Sequence, residues 1–362
     1  MILSILLYGF LAIAAINCIY YLLFLRFAFI KHPTSKKDVN IPVSVLVYSK
    51  NEQEKLADFL SQFEKQTHVN YELILINNAS SDDTRYVFED YQKTHPNVSI
   101  VNVVNNENFW GSRKYALTLG IKKAKFENLL FTTTSSLFDS KNWITENIGL
   151  FGRKKQIVVG HSYFDKKKGF LNHLIRFSEL ISDLQNYGWG SISKPYSASQ
   201  HNFGYAKNLF FQTNGFSDHM GIFQGAEDLF LKTNATSKNV VIATNSNSLV
   251  KKEVPTTFSK WINYKVAQKQ ITKHYKFVSK LNSTLFSFSQ FAFFVTAVLA
   301  SVFYPSVLVF GAIGFRYVLA GLVIVKSAVK LHDSKAVYFF PFMEILNSFM
   351  QIPIFIRNLF SK

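Results

Sequence analysis

The sequence predicts an α/β domain enclosed between membrane-spanning helices, and three observations support this fold class. Short apolar runs alternate with segments of helical periodicity between residues 31 and 280. An uncharged apolar run occupies residues 1–25, and a second apolar region at 281–325 carries one charged side chain, Arg316. With 48% hydrophobic and 17% charged residues, the 362-residue chain can bury a large core and still present apolar surface to lipid.

The first apolar run predicts an N-terminal transmembrane helix over residues 1–29. At about 1.5 Å per residue, a helix of this length covers the roughly 30 Å hydrocarbon core of a bilayer. A cleaved signal peptide is the alternative, but its basic residues would precede the apolar run. Here they follow it, as Arg26, Lys31, Lys36 and Lys37. The positive-inside rule then places this flank and the domain behind it in the cytoplasm.

The C-terminal membrane region is predicted to occupy residues 281–362. Tyr304-Pro305-Ser306 interrupts the apolar sequence, which predicts a helical hairpin over 283–325. Lys326, Lys330 and Lys335 follow the hairpin and return the chain to the cytoplasmic side. Within such a hairpin, Arg316 must face protein, water or a lipid headgroup.

Residues 336–360 form a further apolar segment that is interrupted by polar and helix-breaking residues. They include Pro341, Glu344 and Pro353. The segment is predicted to be either a third, broken membrane span or a helix lying in the membrane interface, and both alternatives stay open.

Residues 30–280 are predicted to form the cytoplasmic α/β domain. Apolar, β-branched runs predict strands, and apolar residues at helical spacing predict the helices between them. The predicted strands are 41–48, 72–76, 99–104 and 128–132, and the predicted helices are 52–65 and 113–123. This alternation indicates a parallel sheet with helices on both faces, whose ligand cleft lies at the carboxyl ends of the strands.

The net charge and the cysteine content limit which ligands and metal sites are expected. A formal net charge of +17 favours anionic membrane lipid and phosphate-bearing ligands over nucleic acid for a chain with membrane segments. The single cysteine, Cys18, lies in an apolar run, so neither an internal disulfide nor a thiolate metal site is expected. The histidines show no zinc-binding spacing.

Five sequence blocks, in order along the chain, carry a resemblance to a known family. They are VSVLVYSKNE (43–52), INNASSDDT (76–84), LLFTTTSSLFDSKNWI (129–144), HNFGYAKNLFFQTNGF (201–216) and GAEDLFL (225–231). Together with the membrane segments, they resemble membrane-bound bacterial family 2 glycosyltransferases. The resemblance implies a Rossmann-like nucleotide-sugar-transferase domain with a mixed, mainly parallel sheet.

The resemblance also implies a function and a location. Such a protein transfers a sugar from a nucleotide-diphospho-sugar to a lipid-linked or other membrane-associated glycan acceptor in cell-envelope synthesis, in one inverting step. It would lie in the inner membrane as a multi-pass protein, with its main domain facing the cytoplasm.

By the resemblance, Asp228 corresponds to the base that takes the proton of the acceptor hydroxyl, with Glu227 beside it. Asn51 and Glu52 correspond to the loop beside the nucleobase. Two simpler interpretations stay open. Glu227 and Asp228 are also an acidic pair suited to a helix N-terminus, and Asn51 and Glu52 are also suited to cap a helix.

The donor site departs from the family pattern in three places. An aspartate pair that binds Mg²⁺ or Mn²⁺ is expected where this chain has Thr133, Thr134 and Ser135, so no metal ligand and no cofactor is predicted. Two aspartates that contact the nucleoside are replaced by Asn77 and Asn78. Thr133, Ser135, Asn77 and Asn78 are still assigned to donor binding, together with Asn51 and Glu52.

The third departure concerns a basic motif that helps to bind the diphosphate. The chain reads YKVAQ at 264–268, which retains Trp261 before it and Lys265 within it but no arginine. Trp261 and Lys265 are assigned to the acceptor side, together with His201 and Asn202 from the fourth block.

Two further donor candidates come from charged turns. Asp82 persists in the SSDDT turn, where a helix cap is the alternative interpretation. The segment 109–114 places Arg113 and Lys114 at a predicted helix N-terminus, where either can meet a phosphate, and a packed turn with solvated charges is the alternative. Lys114 is taken as the donor-site candidate.

Two functions from different classes follow. The first is a glycosyltransferase that works without a metal ion or uses lysine and arginine charges in its place. The second is a catalytically inactive binding or scaffold protein with the same fold, which partners an active glycosyltransferase. The altered donor motifs leave both open.

Overall fold

The computed structural model describes residues 2–104 and 112–360. The contacts divide the chain into two compact units. We call His32–Asp165 with Pro195–Glu253 the sheet unit, and Met1–Lys31 with Lys166–Lys194 and Val254–Lys362 the helical unit.

The described residues form strands and helices in alternation along the sheet unit, and long helices in the helical unit. The strands are β1 Val43–Ser49, β2 Tyr71–Asn78, β3 Val98–Val103, β4 Asn128–Thr133, β5 Ser136–Phe138, β6 Ile157–Gly160, β7 Ser162–Phe164, β8 Phe203–Ala206, β9 Val240–Ala243 and β10 Val250–Lys252. The helices are α1 Ile2–Phe29, α2 Gln53–Glu64, α3 Thr84–Thr94, α4 Arg113–Lys123, α5 Trp143–Ile148, α6 Phe170–Ile192, α7 Lys207–Gln212, α8 Ala226–Asn234, α9 Phe258–Thr272, α10 Phe277–Phe303, α11 Val307–Lys330 and α12 Phe340–Phe360.

The central sheet is mixed but mainly parallel, as expected. Within the described ranges it has seven strands in the order β3-β2-β1-β4-β8-β6-β9. β1 pairs in parallel with β2 and β4, and β2 with β3, whereas β8 runs antiparallel to both β4 and β6. The antiparallel orientation of β8 was not predicted, because a short apolar run indicates a strand but not whether it runs parallel or antiparallel to its neighbours. A smaller sheet in the order β5-β10-β7 lies in the same unit.

The predicted elements at the start of the sheet unit are confirmed. The four predicted strands correspond to β1, β2, β3 and β4, and the two predicted helices to α2 and α4. Leu56, Phe59, Leu60 and Phe63 form the buried face of α2, as their helical spacing indicates. They pack with Val43, Val45 and Val47 of β1 and with Trp143 of α5 in one apolar core. This core holds the carboxyl ends of β1, β2 and β4 at one edge of the sheet.

Three helices in the described part of the chain are long and apolar enough to cross a membrane, over Ser4–Phe29, Phe277–Phe303 and Val307–Lys330. The predicted break of the hairpin is confirmed, because α10 ends at Phe303 and α11 begins at Val307. Ser306 caps α11 by accepting a hydrogen bond from the Val309 backbone. Within the helical unit, α1 packs against both helices through a cluster that includes Phe10, Phe293 and Val309.

Within the segment predicted at 336–360, residues 340–360 form a single helix, α12, which continues through Pro353, whereas a short 3-10 helix, Ser334–Val337, precedes it. It packs against α6, α9 and α10 within the helical unit. Arg316 is fully buried there and bonds to Glu344 of α12, so of the three predicted environments it faces protein.

The two units divide the chain differently from the predicted ranges 1–29, 30–280 and 281–362. Both α6 and α9 lie within the predicted range 30–280 but belong to the helical unit, where Phe27 of α1 contacts Tyr187 of α6. The predicted domain ranges therefore remain a proposal, and they are not the same division as the two units defined by contacts.

Candidate functional site

The loops that follow β1 and β2 are joined by hydrogen bonds centred on Asn51. Its backbone is in the left-handed region, with φ of 54°, which asparagine tolerates better than most residues. Its side-chain oxygen accepts from the Ser81 backbone at 2.8 Å, and its own backbone donates to the Ser80 hydroxyl at 3.0 Å. The two loops at this edge of the sheet are therefore held as one piece.

Asp82 caps helices in this joined loop. Its carboxylate accepts from the backbone of Gln53, the first residue of α2, at 3.0 Å and from the backbone of Thr84, the first residue of α3, at 3.1 Å. Slight burial raises the pKa of Asp82, but hydrogen bonds from the Thr84 side chain and from the backbones of Gln53 and Thr84 lower it, and the lowering is larger. The neighbouring Glu52 donates its backbone N–H to the Thr84 hydroxyl at 3.3 Å and pairs with Lys55. The described contacts of Asp82 and Glu52 thus stabilise the N-termini of α2 and α3.

Asn77 and Asn78 lie at the carboxyl end of β2 and are buried. The Asn77 amide donates to the side-chain oxygen of Asn102 at 3.1 Å, and the Asn78 amide donates to the Tyr48 hydroxyl at 2.9 Å. Tyr48 in turn places its ring under the Arg113 guanidinium, whose carbon lies 5.1 Å from the ring centre. Tyr48 thereby links Asn78 to the N-terminus of α4.

Thr133 and Ser135 form a hydroxyl cluster with His201 at the end of β4. The Thr133 hydroxyl lies 3.1 Å from the Ser135 hydroxyl and 2.9 Å from Nδ1 of His201, and the Ser136 hydroxyl is also 2.9 Å from that nitrogen. The structure thus brings together two predicted donor residues and one residue predicted for the acceptor side.

This cluster does not fit a divalent cation. Its oxygen atoms belong to neutral hydroxyls that bond to each other and to an imidazole, whereas Mg²⁺ and Mn²⁺ favour carboxylate ligands. Among residues 2–104 and 112–360, no group of three or more His, Cys, Asp or Glu side chains is arranged to hold a metal ion. The side chains of Thr133, Thr134 and Ser135 therefore do not supply the carboxylate ligands that the resemblance implies at this position.

Glu227 and Asp228 lie in the first turn of α8, where the helix dipole favours negative charge. The helix begins after Gly225, whose φ of 73° places it in the left-handed region that favours glycine. Both carboxylates are buried. Asp228 accepts a hydrogen bond from the Ala198 backbone at 3.0 Å, which fixes the carboxylate against the segment that precedes β8.

Glu227 forms an ion pair with Arg113, at 2.5 Å between the carboxylate and Nη1. Side-chain exposure is 15% for Arg113 and 8% for Glu227, so the pair is largely removed from water. Two other guanidinium nitrogens, Nε and Nη2, are buried and have no hydrogen-bond partner among the described residues. The hydroxyl of Tyr205, whose pKa burial raises and the Glu227 charge raises further, is buried and likewise without a partner there.

Lys114 anchors the segment that leads into α8. Its ammonium group donates to the backbone oxygens of Ile222 and of Gln224, the latter at 2.9 Å. Burial lowers its pKa from 10.5 to about 8, with a smaller opposing effect from Glu227. Lys114 therefore points into the protein in this structure, and its predicted contact with a phosphate stays a prediction. Phe109, Trp110 and Gly111 of the same predicted motif lie outside the described residues.

Asn202 lies in the interior of the sheet unit. Its amide donates to the backbone oxygens of His161 at 2.9 Å and Ser248 at 2.8 Å, and its oxygen accepts from the Trp143 indole at 3.2 Å. A β-carbon at Gly160 would lie 2.2 Å from the Asn202 side chain. Asn202 therefore holds three chain segments together.

Trp261 and Lys265 lie on α9 in the helical unit. Trp261 is fully buried. The Lys265 ammonium group donates to Glu179 of α6 at 3.1 Å and to the Ser182 hydroxyl at 3.2 Å. The ion pair with Glu179 could not be read from the sequence, because the two residues are 86 positions apart.

Comparison with known proteins agrees with this architecture. The family model described as glycosyl transferase family 2 matches residues 44–224. The O-antigen chain rhamnosyltransferase WbaN of Salmonella anatum is 25% identical over 183 residues, which cover 48% of this chain. The matched part spans 54% of that relative, or about half of its length.

Two solved structures also match. The mannosyltransferase PcManGT from Pyrobaculum calidifontis, solved in complex with GDP-Man and Mn²⁺, superposes with a TM-score of 0.60 at 13% identity. The superposition covers 91% of this chain and 99% of PcManGT. TarS 1-349 of S. aureus in complex with UDP matches at 11% identity with a TM-score of 0.44, over 82% of this chain and 92% of TarS.

At such low identity the structural likeness shows the fold alone, and the family model supplies the assignment. That model covers β1 through β8 and both joined loops at the edge of the sheet. The chain belongs to glycosyltransferase family 2.

Proposed function

We propose that this protein transfers a sugar from a nucleotide-diphospho-sugar to a membrane-associated glycan acceptor in cell-envelope synthesis, with Asp228 as the base and without a bound divalent cation. The observation that carries the proposal is the buried Asp228 carboxylate, fixed by the Ala198 backbone in the first turn of α8. A base must be held in place before the substrate arrives, and both the hydrogen bond and the burial do so.

The reaction follows from this placement. The acceptor hydroxyl oxygen forms a bond to the anomeric carbon while the bond from that carbon to the diphosphate breaks. Asp228 takes the hydroxyl proton, and the nucleoside diphosphate leaves with both bonding electrons. One displacement of this kind inverts the configuration of the anomeric carbon.

Cationic side chains are proposed to stabilise the charge of the leaving diphosphate. The hydroxyl cluster at Thr133–Ser135 does not supply metal ligands. Arg113 is the better candidate of the two basic residues at the start of α4, because two of its nitrogens have no partner in the described residues, whereas Lys114 donates to two backbone oxygens. A planar guanidinium suits the bidentate binding of phosphate.

The proposed location is the inner membrane, with the sheet unit in the cytoplasm. The three apolar helices support membrane association, and the lysines and arginine beside them support this orientation. In this arrangement the N-terminal helix is proposed to cover 1–29, the cytoplasmic domain 30–280 and the C-terminal membrane region 281–362.

The inactive scaffold is the second candidate, and one observation favours it. Asn77 and Asn78 bond to Asn102 and Tyr48, and the Thr133–Ser135 hydroxyls bond to His201, so these positions are engaged within the protein. A chain that had lost the donor site but kept its fold would have such contacts. Its partner would be an active glycosyltransferase.

Calorimetric titration of the detergent-purified protein decides between the two. Uridine, guanosine and thymidine diphospho-sugars, including a nucleotide-activated rhamnose, are titrated with and without Mg²⁺ or Mn²⁺. Binding without metal is expected. Binding that requires metal would contradict the metal-independent donor site, and the absence of binding across the panel would support the scaffold.

The role of Asp228 is tested with the donor found by titration. Asp228→Asn is expected to abolish sugar transfer while donor binding persists, because the amide cannot accept the proton. Asp90→Asn is the matched control, since Asp90 is an exposed carboxylate of α3 that pairs with Lys93. Full transfer by Asp228→Asn would refute the assignment of the base.

A further inference from the structure

The exposed face of α12 is a continuous apolar stripe. Large hydrophobic side chains recur at three- and four-residue spacing, so they lie along one side of the helix. The stripe consists of Phe342, Ile345, Phe349, Ile352, Ile356 and Leu359, with exposed fractions from 38% to 64%. A helix of a water-soluble domain would present charged residues on such a face.

The buried face of α12 has the opposite character. Glu344, Asn347 and Ser348 are buried, with Met343 and Ile354 beside them. Polar residues point into the protein and apolar residues point out of it, which is the reverse of a helix on a water-exposed surface. This inversion is expected where the surrounding medium is hydrocarbon.

Glu344 holds α12 against the membrane-length helices of the helical unit. Its two oxygens accept from Arg316 of α11 at 2.6 Å and 2.5 Å, and Tyr21 of α1 donates to it at 2.7 Å. Arg316 also donates to Gln290 of α10 at 2.6 Å and to Asn17 of α1 at 2.7 Å. These five polar side chains satisfy one another, as charged groups must when water is excluded.

We infer that α12 lies in the acyl-chain layer of the membrane and that its apolar stripe contacts lipid tails. The stripe belongs to the same compact unit as the exposed apolar side chains of α10 and α11, such as Val298 and Val318. Since those two helices are long and apolar enough to cross a membrane, the same acyl chains are the medium that suits the stripe. Composition alone does not select α12 as a membrane helix, because its polar residues lower its mean hydropathy. The contacts show that those residues are turned inward.

The only charge on α12 outside the buried pair agrees with this placement. Among residues 340–360, Arg357 is the one charged residue besides Glu344, and it lies in the last turn of the helix. From that position a long side chain can reach the headgroup region while the part of the stripe that precedes it, from Phe342 to Ile356, stays among the acyl chains.

Site-directed spin labelling tests the inference on the full chain. In a Cys18→Ala background, a nitroxide is attached at Ile352→Cys on the stripe, at Val318→Cys on α11 and at Lys93→Cys on the exposed face of α3. The proteins are reconstituted in vesicles of palmitoyl-oleoyl phosphatidylcholine and phosphatidylglycerol. Collision rates are measured with oxygen, which concentrates in the acyl chains, and with a water-soluble nickel chelate.

The logarithm of the oxygen-to-nickel collision ratio is expected to be positive at 352 and 318 and negative at 93. A negative value at 352 would place the stripe in water and overturn the inference. Protection of 352 from both reagents would overturn it too, because a protein partner or a second copy would then cover the stripe. Ile345→Cys repeats the measurement if Ile352→Cys does not fold.

Discussion

Lys114 combines burial with two hydrogen bonds to backbone oxygens, and its lowered pKa of about 8 brings its change of charge well below pH 10.5. Because burial lowers its pKa from 10.5 to about 8, the unfolded chain binds more protons than the folded chain between these pH values. The contribution of Lys114 to stability should therefore rise as the pH increases from about 8 toward 10.5, and stay constant below about 8.

The prediction is tested with Lys114→Met. The variant should be less stable by about 1–3 kcal/mol, because the Ile222 and Gln224 oxygens lose their donor. Its midpoint of thermal unfolding in detergent should also rise less than that of the wild type between pH 8 and pH 10. Lys238→Met, at an exposed position of the sheet unit, is the control. Equal pH dependence in wild type and Lys114→Met would contradict the assignment of the lowered pKa to burial of this amine.

The contacts of Arg113 and Tyr48 could not be predicted from the sequence. Arg113 lies at the start of α4 and pairs with Glu227, 114 positions later. No local sequence pattern predicts a partner at that distance along the chain. Tyr48 reads in the sequence as part of an apolar strand, yet it contacts Arg113 with its ring and Asn78 with its hydroxyl.

At the scale of the element, the start of α8 depends on the backbone of Gly225. An alanine there would have to keep a φ of 73°, which costs roughly 1 kcal/mol for a residue with a β-carbon. Gly225→Ala should therefore lower the midpoint of thermal unfolding and also lower sugar transfer, since α8 carries Glu227 and Asp228.

Gly152→Ala is the matched control for that substitution. Gly152 lies in a loop of the same unit, and a β-carbon there would meet no atom within 4 Å. A Gly225→Ala variant that behaves like Gly152→Ala in both measurements would mean that the left-handed residue does not position α8.

At the scale of the whole molecule, the buried pair of Arg316 and Glu344 joins α11 to α12, and its hydrogen bonds with Asn17 and Tyr21 join both to α1. Glu344→Ala should destabilise the protein by about 3–5 kcal/mol, because Arg316 is left buried without its counter-charge. The double variant Arg316→Met with Glu344→Met should recover most of this loss, since both charges are then removed.

Thermal unfolding in detergent measures these effects, with Arg357→Ala as a control for loss of an exposed charge from the same helix. A double variant that is no more stable than Glu344→Ala would show that the cost does not come from the unpaired Arg316 charge, and would contradict the role of Glu344 as the counter-charge that holds α12.

The sequence by itself determined the α/β class, the first four strands, two of their helices and the break between α10 and α11. These features follow from local rules, because apolar spacing reports which face of an element is buried and proline interrupts a helix. The family membership was also visible in the sequence, in five ordered blocks.

Only the tertiary structure decided which partners the polar residues have. Asp82 bonds to the start of α2, Lys114 to the segment before α8, and Glu344 to Arg316. Whether α12 turns its polar or its apolar face outward was decided in the same way. Each outcome depends on contacts between segments far apart in the chain, and the energy of a buried polar group is set by the partner it finds there.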